Sequence, residues 1–350
     1  MTINSIIAAE TYNRFLAQAE ATGEVPKMTR PELAEVALTI ALEYQEKYLT
    51  LTVRQLYYQM ISRGLSANGQ PHYDRIGETL ANARLRGDFP MNLIEDRGRT
   101  VGNTDATSSS IDVDEALDYA AQSIRSMPRW QINRAHWYGQ DTVPSVWIEK
   151  EALTGIFSSA CNQARVGLFA CKGYSSVSAL FEWVKFADAQ TEDDSAEAVV
   201  LYFGDHDPDG MEIPLSAERN ITLMLKSGVV PGRCPAGQTW NDKEDEATPL
   251  RFRIERIGLT LEQIRQFNPP SYPAKKTSSR YKKYIASTGI EEAWELDALD
   301  PEEMQRLVRD HTDRLFDREV ARSNRRLLRR RRDEMIERMQ DADWMADIWS

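Results

Sequence analysis

Residues 143–151 read VPSVWIEKE and residues 198–210 read AVVLYFGDHDPDG. Each is a short apolar run that stops at acidic residues: Glu149 and Glu151, flanking Lys150, after the first, and Asp205, Asp207 and Asp209 after the second. Runs of this length bounded by turn residues predict strands buried on both faces. VGLFAC (166–171) and FRIERIGL (252–259) have the same character, and helical patterns separate the runs. The expectation is an α/β domain with a mostly parallel sheet over residues 141–260. Functional groups of such sheets gather at the carboxyl ends of the strands, so the two acidic clusters are predicted to share one edge. Carboxylates crowded there repel one another unless a cation lies between them, and hard oxygen donors favour Mg²⁺. Mg²⁺ bound by one or two carboxylates plus substrate phosphates suits phosphoryl transfer.

Two plainer readings stand beside this one. DxDxDG also opens a calcium-binding EF-hand loop, but its twelfth position is Ser216 where the loop needs Glu, and Pro208 sits inside it. Asp209-Gly210 is also an ordinary turn with helix-capping carboxylates. An acidic residue closing an earlier strand of the same sheet weighs against the turn as the whole explanation.

Upstream the period is helical. A helical arm is expected over residues 1–30, and from Pro31 apolar residues recur at helical spacing. Thr52 and Gln55 form a T-x-x-Q capping box opening VRQLYYQMISRG (53–64). A turn, SANGQ, leads to YDRIGETLANARLRG (73–87), and FPMNLIEDRGRTVG (89–102) reads as an extended, hairpin-like tail. Three short helices and a β-like wing predict a winged helix over residues 31–104. GNTDATSSSID (102–112) has linker composition, so residues 105–140 are read as linker and helix, and residues 261–350 as a mostly helical C-terminal extension.

The chain of 350 residues has 54 acidic and 43 basic side chains and a formal charge of −11, which argues against uniform coating of a polyanion but not against a local basic groove. Arginine concentrates in residues 51–100 (Arg54, Arg63, Arg75, Arg84, Arg86, Arg97, Arg99) and in Arg318–Arg338; acid concentrates in Glu192–Asp194, Asp205–Asp209 and Asp242–Glu246. The three cysteines, Cys161, Cys171 and Cys234, form no CxxC pair, so neither a zinc ribbon nor a disulfide framework is expected. There is no apolar run near the roughly 18 residues of a membrane span, and no secretory signal is read at the start. A cytoplasmic location without membrane contact is expected. No G-x-x-x-x-G-K-[ST] is present, so no ATP site is expected.

IEKEAL, CKGYSSVSALFEW and GDHDPDGMEI, in that order, resemble the Toprim domain of the topoisomerase VI A subunit and its relative, the meiotic double-strand-break transesterase. That family joins a winged helix, carrying a catalytic tyrosine in an R-x-x-Y-Y motif, to a C-terminal Toprim domain. Here Arg54-Gln55-Leu56-Tyr57-Tyr58 stands in the corresponding place, and the resemblance covers roughly residues 30–260. It implies Glu149, Asp205 and Asp207 as Mg²⁺ ligands, with no assured metal role for Asp209, and Tyr58 as nucleophile ahead of Tyr57. It implies double-stranded DNA as substrate and a homodimer in which one protomer's tyrosine meets the other's metal site. Any ATPase would be a separate partner like the topoisomerase VI B subunit. GYSS stands where the family more often has GYPD, and residues after Asn268 carry no pattern that ties them to the known subunit.

The chemistry suits these residues. A tyrosine attacking a phosphodiester must lose a proton whose ordinary pKa is about 10. Arg54 and Tyr58, at i and i+4, share a helical face where a guanidinium would stabilise phenolate and phosphate. The product would be a 5′-phosphotyrosyl enzyme and a free 3′ hydroxyl. Lys150 either touches the scissile phosphate or offsets nearby acid, and Lys172 either approaches phosphate or belongs to a turn. Arg75, Arg84 and Arg86 fit a DNA-reading helix, or a solvated one. The Arg318–Arg338 tract fits phosphate binding or a partner contact. Two other functions remain open: a Toprim nuclease using activated water, with both tyrosines structural, and a winged-helix DNA-binding protein with an inactive acidic site.

Overall fold

The computed structural model describes residues 3–95, 113–191, 196–226 and 250–340. The linker at 102–112, the wing tail beyond Glu95, Arg97, Arg99, Cys234 and the acidic runs Glu192–Asp194 and Asp242–Glu246 lie outside the described residues.

Four helices open the chain: α1 (Ile3–Thr22), α2 (Arg30–Glu46), α3 (Val53–Ser62) and α4 (Gln70–Arg86). Thr29 and Thr52 cap α2 and α3, each in a reciprocal capping box with the residue three further on, Glu32 and Gln55. Gly87 ends α4 at φ 79°, a left-handed cap that only glycine adopts without cost. The N-terminal stretch is no detached arm. Ala8, Tyr12 and Phe15 of α1 join Val36, Ile40, Leu56, Met60 and Leu80 in one core. The described part of the hairpin-like tail also departs from expectation. Met91–Leu93 is a turn of 3₁₀ helix, and among the described residues Ile94 makes one parallel bridge, to Leu51.

After α5 (Val113–Arg134) the chain alternates: β1 (Thr142–Ile148), α6 (Thr154–Ala164), β2 (Gly167–Ala170), α7 (Val177–Gln190), β3 (Glu197–Phe203), α8 (Ile213–Lys226) and β4 (Arg251–Gly258). The four strands form one sheet in the order β2-β1-β3-β4, and every pairing is parallel. Side chains alternate across it. Val146, Ile148, Leu201 and Phe203 pack towards α6, while Trp147, Val200 and Tyr202 pack towards α7 and α8.

The C-terminal segment comprises α9 (Leu261–Phe267), β5 (Tyr272–Pro273), α10 (Tyr281–Thr288), β6 (Glu292–Ala293), α11 (Pro301–Leu315) and α12 (Arg318–Met339). It is mostly helical, but it is not an appendage. Leu296, Leu299, Met304, Leu307 and Val308 fill the same core as β1, β3 and α6, so α11 completes the layer on that face of the sheet. Among the described residues no helix is long and apolar enough to cross a membrane.

This topology fixes the location of the site. From β1 the chain moves outward to β2, then crosses back to β3 on the other side of β1, so the winding direction reverses between β1 and β3. The crevice beyond the carboxyl ends of such a strand pair is where open α/β sheets place their chemistry.

Candidate active site

Glu149 and Asp205 leave the ends of the two neighbouring central strands. The Glu149 carboxylate accepts the Asp205 amide at 2.9 Å and the Tyr202 hydroxyl at 3.4 Å. Burial, then the nearby charges of Asp205 and Asp207, push the Glu149 pKa up. Asp205 is 6 % exposed, and its pKa is also raised, by burial ahead of the opposing pull of Lys150. Asp207 turns its Oδ1 into the loop, accepting the amides of Asp209 at 3.0 Å and Gly210 at 2.6 Å. Asp209 pairs with Arg280 at 2.8 Å, which occupies it outside the crevice.

The acidic loop is clamped from below. Arg256, on β4, donates to the carbonyls of Gly210 and Gly204, each at 2.9 Å, and of Asp205. Glycine is required at two loop positions. A Cβ on Gly204 would lie 2.7 Å from Glu149 Oε2, and one on Gly210 would collide with the Asp205 carbonyl. His206 is 2 % exposed, holds Tyr284 through Nδ1 at 3.0 Å and exchanges backbone hydrogen bonds with Trp294. Its pKa falls to about 4, through burial first and then Arg256, which marks a neutral packing residue.

That backbone bridge brings in two acids that the sequence reading did not select. Asp205 Oδ1 accepts the Leu296 amide at 2.8 Å, which sets Glu295 and Asp297 beside Lys150. The Lys150 ammonium reaches Asp297 at 2.7 Å, Asp205 at 2.9 Å and Glu295 at 3.2 Å. Burial alone would lower the lysine pKa, but these carboxylates outweigh it and raise it well above the usual range. Glu295 also receives Arg54 Nη1 on both oxygens, at 2.5 and 2.6 Å. Arg54 and Lys150 are therefore joined through one carboxylate, which ties α3 to the end of β1.

The two tyrosines separate clearly. The Tyr57 hydroxyl is absorbed in the turn before α4, accepting the Gly69 amide at 2.7 Å and meeting Asn68 Oδ1 at 3.2 Å. Tyr58 faces the charge network. Burial first, then Glu295, raise its pKa above the usual tyrosine range, against the pull of Arg54 and Lys150. The expected stabilisation of phenolate by Arg54 is thus outweighed, by burial first and then by Glu295, which also takes up the guanidinium. A cleft of about 440 Å³ opens beside Arg54 and Lys150, lined also by Tyr73, Arg84 and Asp297 but not by Tyr58.

Of the remaining cations, Arg84 lines this cleft and Arg75, Arg86 and Lys172 do not. Arg75 donates to the Met28 carbonyl, and Arg84 to that of Met91 at 3.0 Å. Arg86 pairs with Asp88 at 2.7 Å and Lys172 with Glu151 at 3.0 Å. Lys172 and Gly173 take left-handed conformations, and the Gly173 amide donates to the Glu149 carbonyl, so this segment builds a turn.

Among the described residues no group of three or more His, Cys, Asp or Glu side chains converges closely enough to hold a metal ion unaided. Glu149 and Asp205 nonetheless suit Mg²⁺ in kind, being largely buried carboxylates at neighbouring strand ends, with the Asp205 charge raising the cost of ionising Glu149. Mg²⁺ is ordinarily held by one or two carboxylates and completed by water and substrate phosphates. No protein-family model matches the chain, and no curated protein matches it.

Proposed function

We propose that this protein is a Mg²⁺-dependent DNA-cleaving transesterase of the winged-helix and Toprim kind, similar to the topoisomerase VI A subunit. The observation that carries the reading is the chain of charges Arg54–Glu295–Lys150–Asp205, which links the tyrosine-bearing helix to the acidic strand ends. A reversed-winding parallel sheet with Glu149 and Asp205 at its switch point supports the same reading.

In this mechanism a DNA phosphate enters the cleft and draws Arg54 and Lys150 from Glu295. The guanidinium and ammonium then offset charge on the phosphoryl oxygens. The Tyr58 oxygen, losing its proton, attacks phosphorus; the bond from phosphorus to the 3′ oxygen breaks, and that oxygen leaves with the electron pair and takes a proton. The products are a 5′-phosphotyrosyl enzyme and a 3′ hydroxyl. Mg²⁺, held by Glu149 and Asp205 with Asp207 nearby, would supply further neutralisation of the phosphate and the departing oxygen. A homodimer acting on both strands, and a separate ATPase partner for any strand passage, belong to the same proposal.

One observation favours a second reading. Tyr58 is only 6 % exposed, which suits a packing ring and a Toprim nuclease that activates water. Supercoiled plasmid incubated with protein and Mg²⁺, stopped with SDS and run with and without proteinase K, separates the two. Protein-linked 5′ ends that vanish in Tyr58→Phe support the transesterase; free ends that persist in the variant support hydrolysis.

A further inference from the structure

Helix α12 carries nine arginines and four acidic residues over its 22 positions, and none of its residues is buried. Its start is fixed. Asp317 caps it, Gln140 brackets Asp317 with hydrogen bonds of 2.7 and 3.0 Å, and Asn324 donates to the Tyr138 carbonyl at 3.1 Å. One stripe, Val320, Ala321, Asn324, Leu328 and Met335, is partly covered, and α12 packs against α5. The opposite face is exposed and net basic, carrying Arg322, Arg325, Arg326, Arg329 and Arg330 with Glu319, Asp333 and Glu337 towards its ends.

The eight arginines after Arg318 divide into two groups. Arg322, Arg331, Arg332 and Arg338 pair with acids of their own helix: Glu319, Glu334, Asp333 and Glu334. Arg325, Arg326, Arg329 and Arg330 have no acidic partner among the described residues and are exposed. They form the like-charge i, i+4 pairs Arg325/Arg329 and Arg326/Arg330, and such pairs destabilise a helix. A solvated helix with no core to fill has no need of that repulsion. A polyanion laid along this face would relieve it.

We infer that the Arg325–Arg330 face of α12 is a duplex-DNA phosphate-binding surface, separate from the cleft at Arg54 and Lys150. The inference rests on the reading of the protein as a DNA enzyme and adds a sequence-independent grip outside its active site. At 1.5 Å per residue the helix is roughly 33 Å long, about one turn of duplex. Guanidinium groups two turns deep on one face match phosphates along a backbone, and their attraction is of the counterion-release kind.

The test is fluorescence anisotropy of a labelled duplex with the full chain in EDTA, repeated across salt concentrations. Replacing Arg325, Arg326, Arg329 and Arg330 together with Gln is expected to make the slope of log K against log salt shallower by about 3 to 4. The corresponding set of lysines should keep the wild-type slope, and circular dichroism should show the helix retained in both. A Gln variant with the wild-type slope overturns the inference, and leaves the transesterase standing if Tyr58-dependent cleavage persists. Wild-type protein that binds polyglutamate but not the duplex would assign the face to an acidic protein partner and overturn it; absence of duplex binding would overturn the DNA reading as well.

Discussion

The Tyr57 hydroxyl takes a hydrogen bond from the Gly69 amide, whereas the Tyr58 hydroxyl lies in the field of Glu295, Arg54, Lys150 and Asp297. Tyr57→Phe is therefore expected to cost about 1 kcal/mol in urea unfolding while cleavage persists. Tyr58→Phe should remove the covalent product and leave stability within a few tenths of a kcal/mol of wild type. Arg256 offers a second contrast at this scale. Removing its side chain takes a donor from the carbonyls of Gly204, Asp205 and Gly210 beneath the acidic loop, of which Gly204 keeps the Leu259 amide. Arg256→Met should lower unfolding free energy by on the order of 3 kcal/mol, and a loss under about 0.5 kcal/mol would show that the clamp is not needed. FRIERIGL carries Arg253, Glu255 and Arg256, and a charge buried in such a run must find partners. Nothing in the run says that those partners are three carbonyls of another strand's loop.

At the scale of elements, the strands and capped helices were legible because each depends on neighbours in sequence. The apolar runs and the T-x-x-Q box at Thr52 carry their own local physics, and β1, β3 and α3 formed where expected. The described start of the tail, up to Glu95, was not legible, because an extended segment takes its partner from elsewhere, and Ile94 found Leu51 in a parallel bridge. Glu295 and Asp297 escaped notice for the same reason. They alternate with Trp294 and Leu296, but only the tertiary bridge to His206 delivers them to Lys150. A pH effect arises at the junction of α11 and α12. The His136 ring stacks on Phe316 with centroids 4.5 Å apart, and burial, then Arg165, lower its pKa below the usual 6.5. The neutral ring is the form the fold favours, so its contribution is present above pH 6.5 and is lost as pH falls below that value. His136→Phe should flatten the decline in melting temperature between about pH 7 and pH 5 relative to wild type.

Across the whole molecule, the helical N-terminal unit meets the α/β body through Ala298, packed against its core, and through polar contacts among the described residues. Arg54–Glu295 is joined by Tyr44 on Asp300 at 2.5 Å, Lys47 on Glu302 at 2.7 Å and Asn68 on the Ser271 carbonyl at 2.6 Å. A double-mutant cycle on Arg54→Ala and Glu295→Ala should give a coupling of about 1 kcal/mol in unfolding. Glu295→Gln alone should tighten duplex binding several-fold, since it releases Arg54 and Lys150 to phosphate; weaker binding would place Glu295 on the side of DNA recognition. The most direct measurement of the central claim is mass spectrometry of tryptic peptides after incubation with duplex DNA and Mg²⁺, SDS and nuclease digestion. A nucleotide carried through a 5′-phosphate on Tyr58, absent when EDTA replaces Mg²⁺, is the expected result. Cleaved DNA with free 5′ ends and no modified tyrosine peptide would contradict it.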